Sequence, residues 1–282
     1  MISNLPNLYH KKCLETPFKF NLMLIGSKGT GKTTFLNNFF NKKVLNDSHQ
    51  MEIIRDLCQI NSHRFCVNEN DFITKMDVVE ISGIGDSVNN QGCGEPAIRM
   101  LQTRHKKYAN DCESKINRMV KDDRIHVCLY FIEAIDILKE NDINLIKELS
   151  EFTNVIAVVG KADMLNEQES EMIRNEFALK CPEIDLYFIS CERNCLLYRE
   201  YDWGTINRED FDFYKLRELL LEKGTKELIE ETEYLYNQYR VNMLAEELAD
   251  GKDFLSEFNE QNQKLCEIQE RIAGKRQRLN GN

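Results

Sequence analysis

No stretch of this 282-residue chain approaches the 18 consecutive apolar residues that a membrane-crossing helix needs. The opening Met1-Ile2-Ser3-Asn4-Leu5-Pro6-Asn7 lacks the basic-then-apolar order of a secretory signal, so a cytosolic protein is expected. No C-x-x-C pair occurs either. The ten cysteines are scattered at 13, 58, 66, 93, 112, 128, 181, 191, 195 and 266, which argues against a disulfide framework and for buried reduced thiols. Positive charge is also short, 37 Lys and Arg against 47 acids for a net charge of −10, and so acidic a chain is not expected to bind nucleic acid. The exception is residues 1–46, with seven lysines and one acid. Lys28 and Lys32 of that set lie in a glycine-rich loop. Apart from Lys42 and Lys43 beyond that loop, the basic segment reduces mainly to Lys11, Lys12 and Lys19, a weak candidate membrane contact that falls short of the usual cluster of four or more.

What is present reads as an α/β domain. From Phe20 to about Lys223, short apolar runs alternate with amphipathic stretches, the pattern of βαβ units around a mainly parallel sheet. Strands are expected at 20–25, 72–81, 125–132, 155–159 and 185–189, and helices at 32–40, 95–120, 141–152 and 167–181. After Asp210 a 3.6-residue stripe of Phe211, Tyr214, Leu216, Leu219 and Leu220 runs on helically towards Leu235. From Leu244 the spacing becomes 4-3-4-3 through Leu248, Gly251, Leu255, Phe258, Asn262, Leu265, Gln269, Ile272, Arg276 and Leu279. That fits either a short coiled coil of about five heptads or a solvated amphipathic tail.

The strongest motif follows the first strand. Gly26-Ser27-Lys28-Gly29-Thr30-Gly31-Lys32-Thr33 is a complete G-x-x-x-x-G-K-T set between a strand and a helix. Glycines let such a loop wrap a phosphate chain, its amides donate to the α- and β-phosphates, and the following helix N-terminus adds a favourable dipole. Lys32 is expected to reach the β- and γ-phosphates and Thr33 to ligate Mg²⁺, with Thr34 beside it.

The base is addressed by Gly160-Lys161-Ala162-Asp163, which follows the strand at 155–159 and resembles the N-K-x-D guanine motif. A carboxylate at Asp163 can accept from both N1–H and the exocyclic amine of guanine, and adenine offers neither donor there. Hydrogen bonds to a charged group contribute about 1.5–3 kcal/mol each, so two would favour GTP over ATP a hundredfold or more. The stem of Lys161 is expected to lie across the base.

Other segments resemble one family closely. Asp77-Val78-Val79-Glu80-Ile81-Ser82-Gly83-Ile84-Gly85-Asp86 looks like the septin form of the GTPase switch, D-T-P-G-x-G-D. Arg124-Ile125-His126-Val127-Cys128-Leu129-Tyr130-Phe131-Ile132 is similar to the septin strand R-x-H-x-C-x-Y-F-I, followed by Leu138-Lys139 and Asp142-Ile143. Tyr201-Asp202-Trp203-Gly204 and the segment 211–220 resemble the septin-specific element.

The resemblance covers roughly residues 18 to 240. It implies a Ras-like P-loop GTPase, a three-layer α/β/α domain with a mainly parallel sheet and a C-terminal helical or coiled-coil extension. It divides the chain into an N-terminal arm at 1–17, a septin-type GTP-binding domain at 18–240 and a terminal helix at 241–282.

It further implies GTP or GDP with Mg²⁺, Gly83 sensing the γ-phosphate, and Glu80, where the family has Asp, with Thr33 at the metal. Arg199 would approach the guanine and Trp203 a nucleotide-side interface. The partners would be the chain itself or other septins, joined through that face and a terminal-helix face. The expected setting is a cytoplasmic septin ring or the cell cortex, and the role cytokinesis and cortical organisation. A monomeric regulatory GTPase is the alternative, and a P-loop ATPase or small-molecule kinase a third class. Gln50, without a threonine between 48 and 53, and Ile84 in place of a glutamine after Gly83 point to slow hydrolysis at most. Residues 133–137 lack the family's histidine.

Overall fold

The computed structural model describes residues 18–41, 58–69, 72–86, 90, 92–114, 120–135, 138–191, 198–201, 204–207 and 210–249. In chain order the elements are β1 (Phe18–Gly26), α1 (Lys32–Phe39), β2 (Gln59–Glu69), β3 (Phe72–Ser82), α2 (Glu95–Ser114), β4 (Val127–Ile132), α3 (Glu140–Ser150), β5 (Asn154–Gly160), α4 (Glu167–Lys180) and β6 (Leu186–Ile189). A small hairpin of β7 (Tyr198–Tyr201) and β8 (Gly204–Asn207) follows, then α5 (Phe213–Glu218), a π-helical turn (Leu219–Lys223) and α6 (Thr225–Ala249).

The main sheet has the order β2-β3-β1-β4-β5-β6. Every pairing is parallel except β2 with β3, whose antiparallel register runs from Gln59↔Ser82 to Glu69↔Phe72. Helices cover both faces, so the central strands are apolar on both sides and read as continuous hydrophobic runs. Along β1, Met23 and Ile25 join a core with α2, α3 and α4, through Leu101, Ile146 and Phe177. Leu22 and Leu24 join the opposite core with Phe35, Leu36 and Phe39 of α1 and Phe213 and Leu216 of α5. This period-two division builds the three layers.

All five expected strands and four expected helices form, with ends shifted by a few residues. The edge strand β2 and the β7–β8 hairpin are additional. The helical run expected from 211 to 235 is broken at Gly224, where a side chain would meet the Leu219 carbonyl oxygen at 2.6 Å. Of the heptad series, Leu244 and Leu248 fall within α6, and the positions beyond 249 lie outside the described residues.

The end of the sheet where β1 and β4 begin is closed by internal charge pairing. Arg124 donates to Asp122 at 2.8 Å and to Glu233 of α6 at 2.7 Å, with its guanidinium 3.7 Å from the Tyr108 ring centroid. Asn154 donates to the carbonyls of His126 (2.7 Å) and Leu228 (2.8 Å), fixing α6 to two strands. Asp123 gathers Lys19 (2.9 Å), Lys107 (2.9 Å) and Lys121 (3.0 Å). Lys19 is therefore an internal ion-pair partner, which removes it from the basic set that the sequence suggested for a membrane.

Candidate functional site

At the opposite end, the C-terminal edges of β1, β3, β4 and β5 converge, the place where open α/β sheets bind ligands. β1 ends at Gly26, the loop of residues 27–31 turns over the sheet edge, and α1 begins at Lys32. Among the described residues no side chain caps α1, which leaves its first turn without a side-chain acceptor, an arrangement suited to a phosphate.

Lys32 folds back over the loop. Its ammonium donates to the carbonyls of Gly26 (3.1 Å) and Ser27 (2.6 Å) and to Thr30 Oγ1 (3.2 Å). Burial pushes its pKa down to about 8, opposed by the negative charges of Glu80 and Asp86. The lysine is thus held at the loop with its charge facing two carboxylates, ready for a stronger anion.

Thr33 Oγ1 donates to Glu80 Oε1 at 3.3 Å, bringing together the two residues expected at the metal. A hydroxyl and a carboxylate are hard oxygen ligands that fit Mg²⁺, which takes only one or two carboxylates and completes its shell with water and phosphate oxygens. Among the described residues no group of three or more His, Cys, Asp or Glu is placed to hold a metal ion.

The switch segment lies directly on the phosphate loop. Gly83 follows β3, and the chain turns so that Asp86 accepts the Lys28 amide hydrogen at 3.0 Å and 3.3 Å through its two carboxylate oxygens. Gly85 adopts φ 81°, and a Cβ there would sit 3.5 Å from Ser27 Oγ and 3.9 Å from Asp142. A side chain at this position is disfavoured by the left-handed backbone, not by crowding, since both distances are ordinary van der Waals contacts. Ile84, where a water-positioning glutamine would stand, is buried in the apolar core. Asp142 is held beneath the loop by the Tyr130 hydroxyl, which donates to it at 2.8 Å.

The guanine motif sits at the end of β5. A Cβ on Gly160 would meet the Thr30 carbonyl oxygen at 2.0 Å, so only glycine lets the strand end press against the phosphate loop. Lys161 then takes a left-handed conformation (φ 57°) and is exposed, and a short 3₁₀ turn (Ala162–Met164) carries Asp163. Asp163 accepts the Ser190 hydroxyl at 2.9 Å from the end of β6. Gly26 to Thr34, Gly83, Glu80, Lys161 and Asp163 therefore share one edge of the sheet. The side chain of Arg199, in β7, and Trp203 and Gln50 as whole residues lie outside the described residues.

Two members were not assigned a role by sequence reasoning. Asp86 was legible only as part of G-x-G-D, with no sign that its carboxylate reaches back 58 residues to Lys28. Ser190 gave no sequence signal as the partner of Asp163.

A strand, a glycine-rich loop and a helix, with a switch glycine and a K-x-D segment on neighbouring strand ends, define a P-loop protein of the GTPase fold. The septin family model matches residues 16–195 and 186–253. Cell division control protein 3 of Encephalitozoon cuniculi is 30% identical across 99% of this chain and 91% of its own length. Septin-1 of Homo sapiens is 30% identical across 85% of this chain and 76% of its own. The crystal structure of the septin GTPase domain from Chlamydomonas reinhardtii superposes with a TM-score of 0.57 at 17% identity, covering 80% of this chain and 99% of that one. The chain belongs to the septin family.

Proposed function

We propose that this chain binds GTP or GDP with Mg²⁺ at the sheet edge and works as an assembly subunit of septin oligomers and filaments in cytokinesis and cortical organisation. The observation that supports the reading most is the close approach of Gly160 to Thr30, which brings the end of β5, three residues before Asp163, against the phosphate loop. A ligand that satisfies both must carry a base and a phosphate chain at once. Loop amides donate to the phosphates, Lys32 supplies charge, and Asp163 accepts from the guanine edge while Ser190 fixes its orientation. Thr33 and Glu80 would hold Mg²⁺, which supplies charge neutralisation for the phosphates.

Turnover is slow in this reading, because Ile84 offers no polar group to an attacking water. The bound nucleotide then acts chiefly as a structural ligand that stabilises its surroundings in proportion to occupancy. The partners are copies of this chain or other septins, meeting through the nucleotide-side face, with Arg199 and Trp203, and through a terminal-helix face built on α6. The location that follows is a cytoplasmic septin ring or the cortex. Membrane contact would fall to Lys11 and Lys12, and two basics contribute only about 2 kcal/mol at an anionic surface.

Light scattering of the full chain with and without guanine nucleotide, beside a Lys32→Ala variant, tests this. Dimers or larger species that require nucleotide and are lost in Lys32→Ala are expected. A strict monomer in every nucleotide state would instead identify a monomeric regulatory GTPase.

A further inference from the structure

We propose that Asp86 is a specificity-determining residue that makes this site discriminate against a triphosphate in favour of a diphosphate. The inference rests on the guanine-nucleotide reading above and concerns the same site. Both oxygens of the Asp86 carboxylate lie within hydrogen-bond distance of the Lys28 amide, at 3.0 Å and 3.3 Å. Lys28 belongs to the part of the phosphate loop that the switch segment covers, as the approach of Gly85 to Ser27 Oγ shows. The switch segment marks the γ-phosphate side of a P-loop site.

Asp86 therefore holds a loop amide on the side where a terminal phosphate would bind. Its negative charge also bears on Lys32, the second donor that a terminal phosphate needs. A carboxylate is a smaller anion with the same acceptor chemistry as a phosphate oxygen, and oriented backbone amides accept either. A diphosphate, whose two phosphates can be held by the loop amides other than that of Lys28, leaves this arrangement in place. A triphosphate must displace Asp86 from the Lys28 amide or bear like-charge repulsion at close range, since both cannot accept the same hydrogen. The left-handed Gly85 just before Asp86 gives the backbone freedom to swing the carboxylate away.

The alternative role for an acid beside a phosphate loop is to hold Mg²⁺ through water, and it predicts the opposite sign. The test uses the nucleotide-free full-length chain titrated with GDP and with GTPγS in the presence of Mg²⁺, for the wild type, Asp86→Asn and Asp86→Ala. Asparagine keeps the shape and removes the charge, and alanine removes the acceptor.

The expected result is a GTPγS-to-GDP affinity ratio raised about tenfold in Asp86→Ala, the factor that the net strength of one charge-assisted hydrogen bond corresponds to, and raised by less in Asp86→Asn, whose amide oxygen can still accept the Lys28 hydrogen. The GTPγS-to-GDP affinity ratio is the readout, and the urea unfolding midpoint of each variant shows that it is folded. An unchanged GTPγS-to-GDP ratio, weaker GTPγS binding, or loss of GDP binding in the variants would each overturn the role assigned to Asp86. Failure of the wild type to bind either nucleotide would overturn the guanine-nucleotide reading itself.

Discussion

The two ends of the sheet solve opposite problems with similar residues. At the Arg124 end, charges are matched within the chain: Arg124 with Asp122 and Glu233, and Asp123 with three lysines. At the Lys32 end, an ammonium rests on carbonyls, a helix starts without a side-chain cap, and a carboxylate occupies a backbone amide. The first end spends its polar groups on joining α6 to the strands. The second holds donors in place for an anion from outside the chain. Neutralising charge internally stabilises a fold, and holding it ready for a ligand creates a site.

If this division is right, the largest effect of a single change falls at the Arg124 end. Arg124→Ala removes charge-assisted hydrogen bonds to Asp122 and Glu233, both partly exposed, and is expected to cost about 3 kcal/mol in urea unfolding. Folded variant should keep its guanine-nucleotide affinity, and a matching loss of affinity would show that the ends are coupled. Next comes Lys32→Ala, expected to weaken GDP binding by about a hundredfold in calorimetric titration. Its nucleotide-free unfolding midpoint should stay close to that of the wild type, because burial already disfavours the ammonium.

A smaller effect appears with pH. Burial, and then the neighbouring Arg124, push the His105 imidazole down to about 4, and neither ring nitrogen has a hydrogen-bond partner among the described residues. The unfolded chain takes up this proton near pH 6.5 and the folded chain only near pH 4. His105 thus carries no penalty above about pH 6.5, and stability falls as pH drops through that window by up to about 1.4 kcal/mol per unit. Burial opposes ionisation of Asp122, but hydrogen bonds from His126 and Arg124 outweigh it and hold its carboxyl below the usual range. Its contribution is lost only below about pH 4, so the two windows separate. His105→Leu should flatten the stability profile between pH 6.5 and 4, and an unchanged slope would assign it to other groups. The smallest effect is that of Lys19→Ala, below about 1 kcal/mol, since Lys107 and Lys121 still hold Asp123 at a partly exposed site.

The same contrast explains what could be read from the sequence. The phosphate loop and the K-A-D segment are contiguous, and their chemistry depends on local backbone shape, so their spacing alone located them. The Arg124 end joins Asn21 to His126 and Asn154 to Leu228, pairs separated by 105 and 74 residues, which no local pattern encodes. β2 escaped for a different reason. It is an edge strand with exposed Gln59, Ser62 and Arg64, too polar to stand out as an apolar run, although antiparallel pairing with β3 holds it. The break at Gly224 was hidden because the apolar stripe runs through it without a lapse, and the tight packing of Gly224 on Leu219 is visible only in the fold. Within the site, Asp163 was legible and Ser190 was not, because the serine matters only once β5 and β6 lie side by side.

The most direct test of the central claim is a competition of GDP against ADP for the purified full-length chain in Mg²⁺, repeated with Asp163→Ala. The account predicts that GDP binds a hundredfold or more tighter than ADP, as two hydrogen bonds to a carboxylate require, and that the variant loses most of this preference. Equal affinities in the wild type, or a preference for ADP, would contradict it.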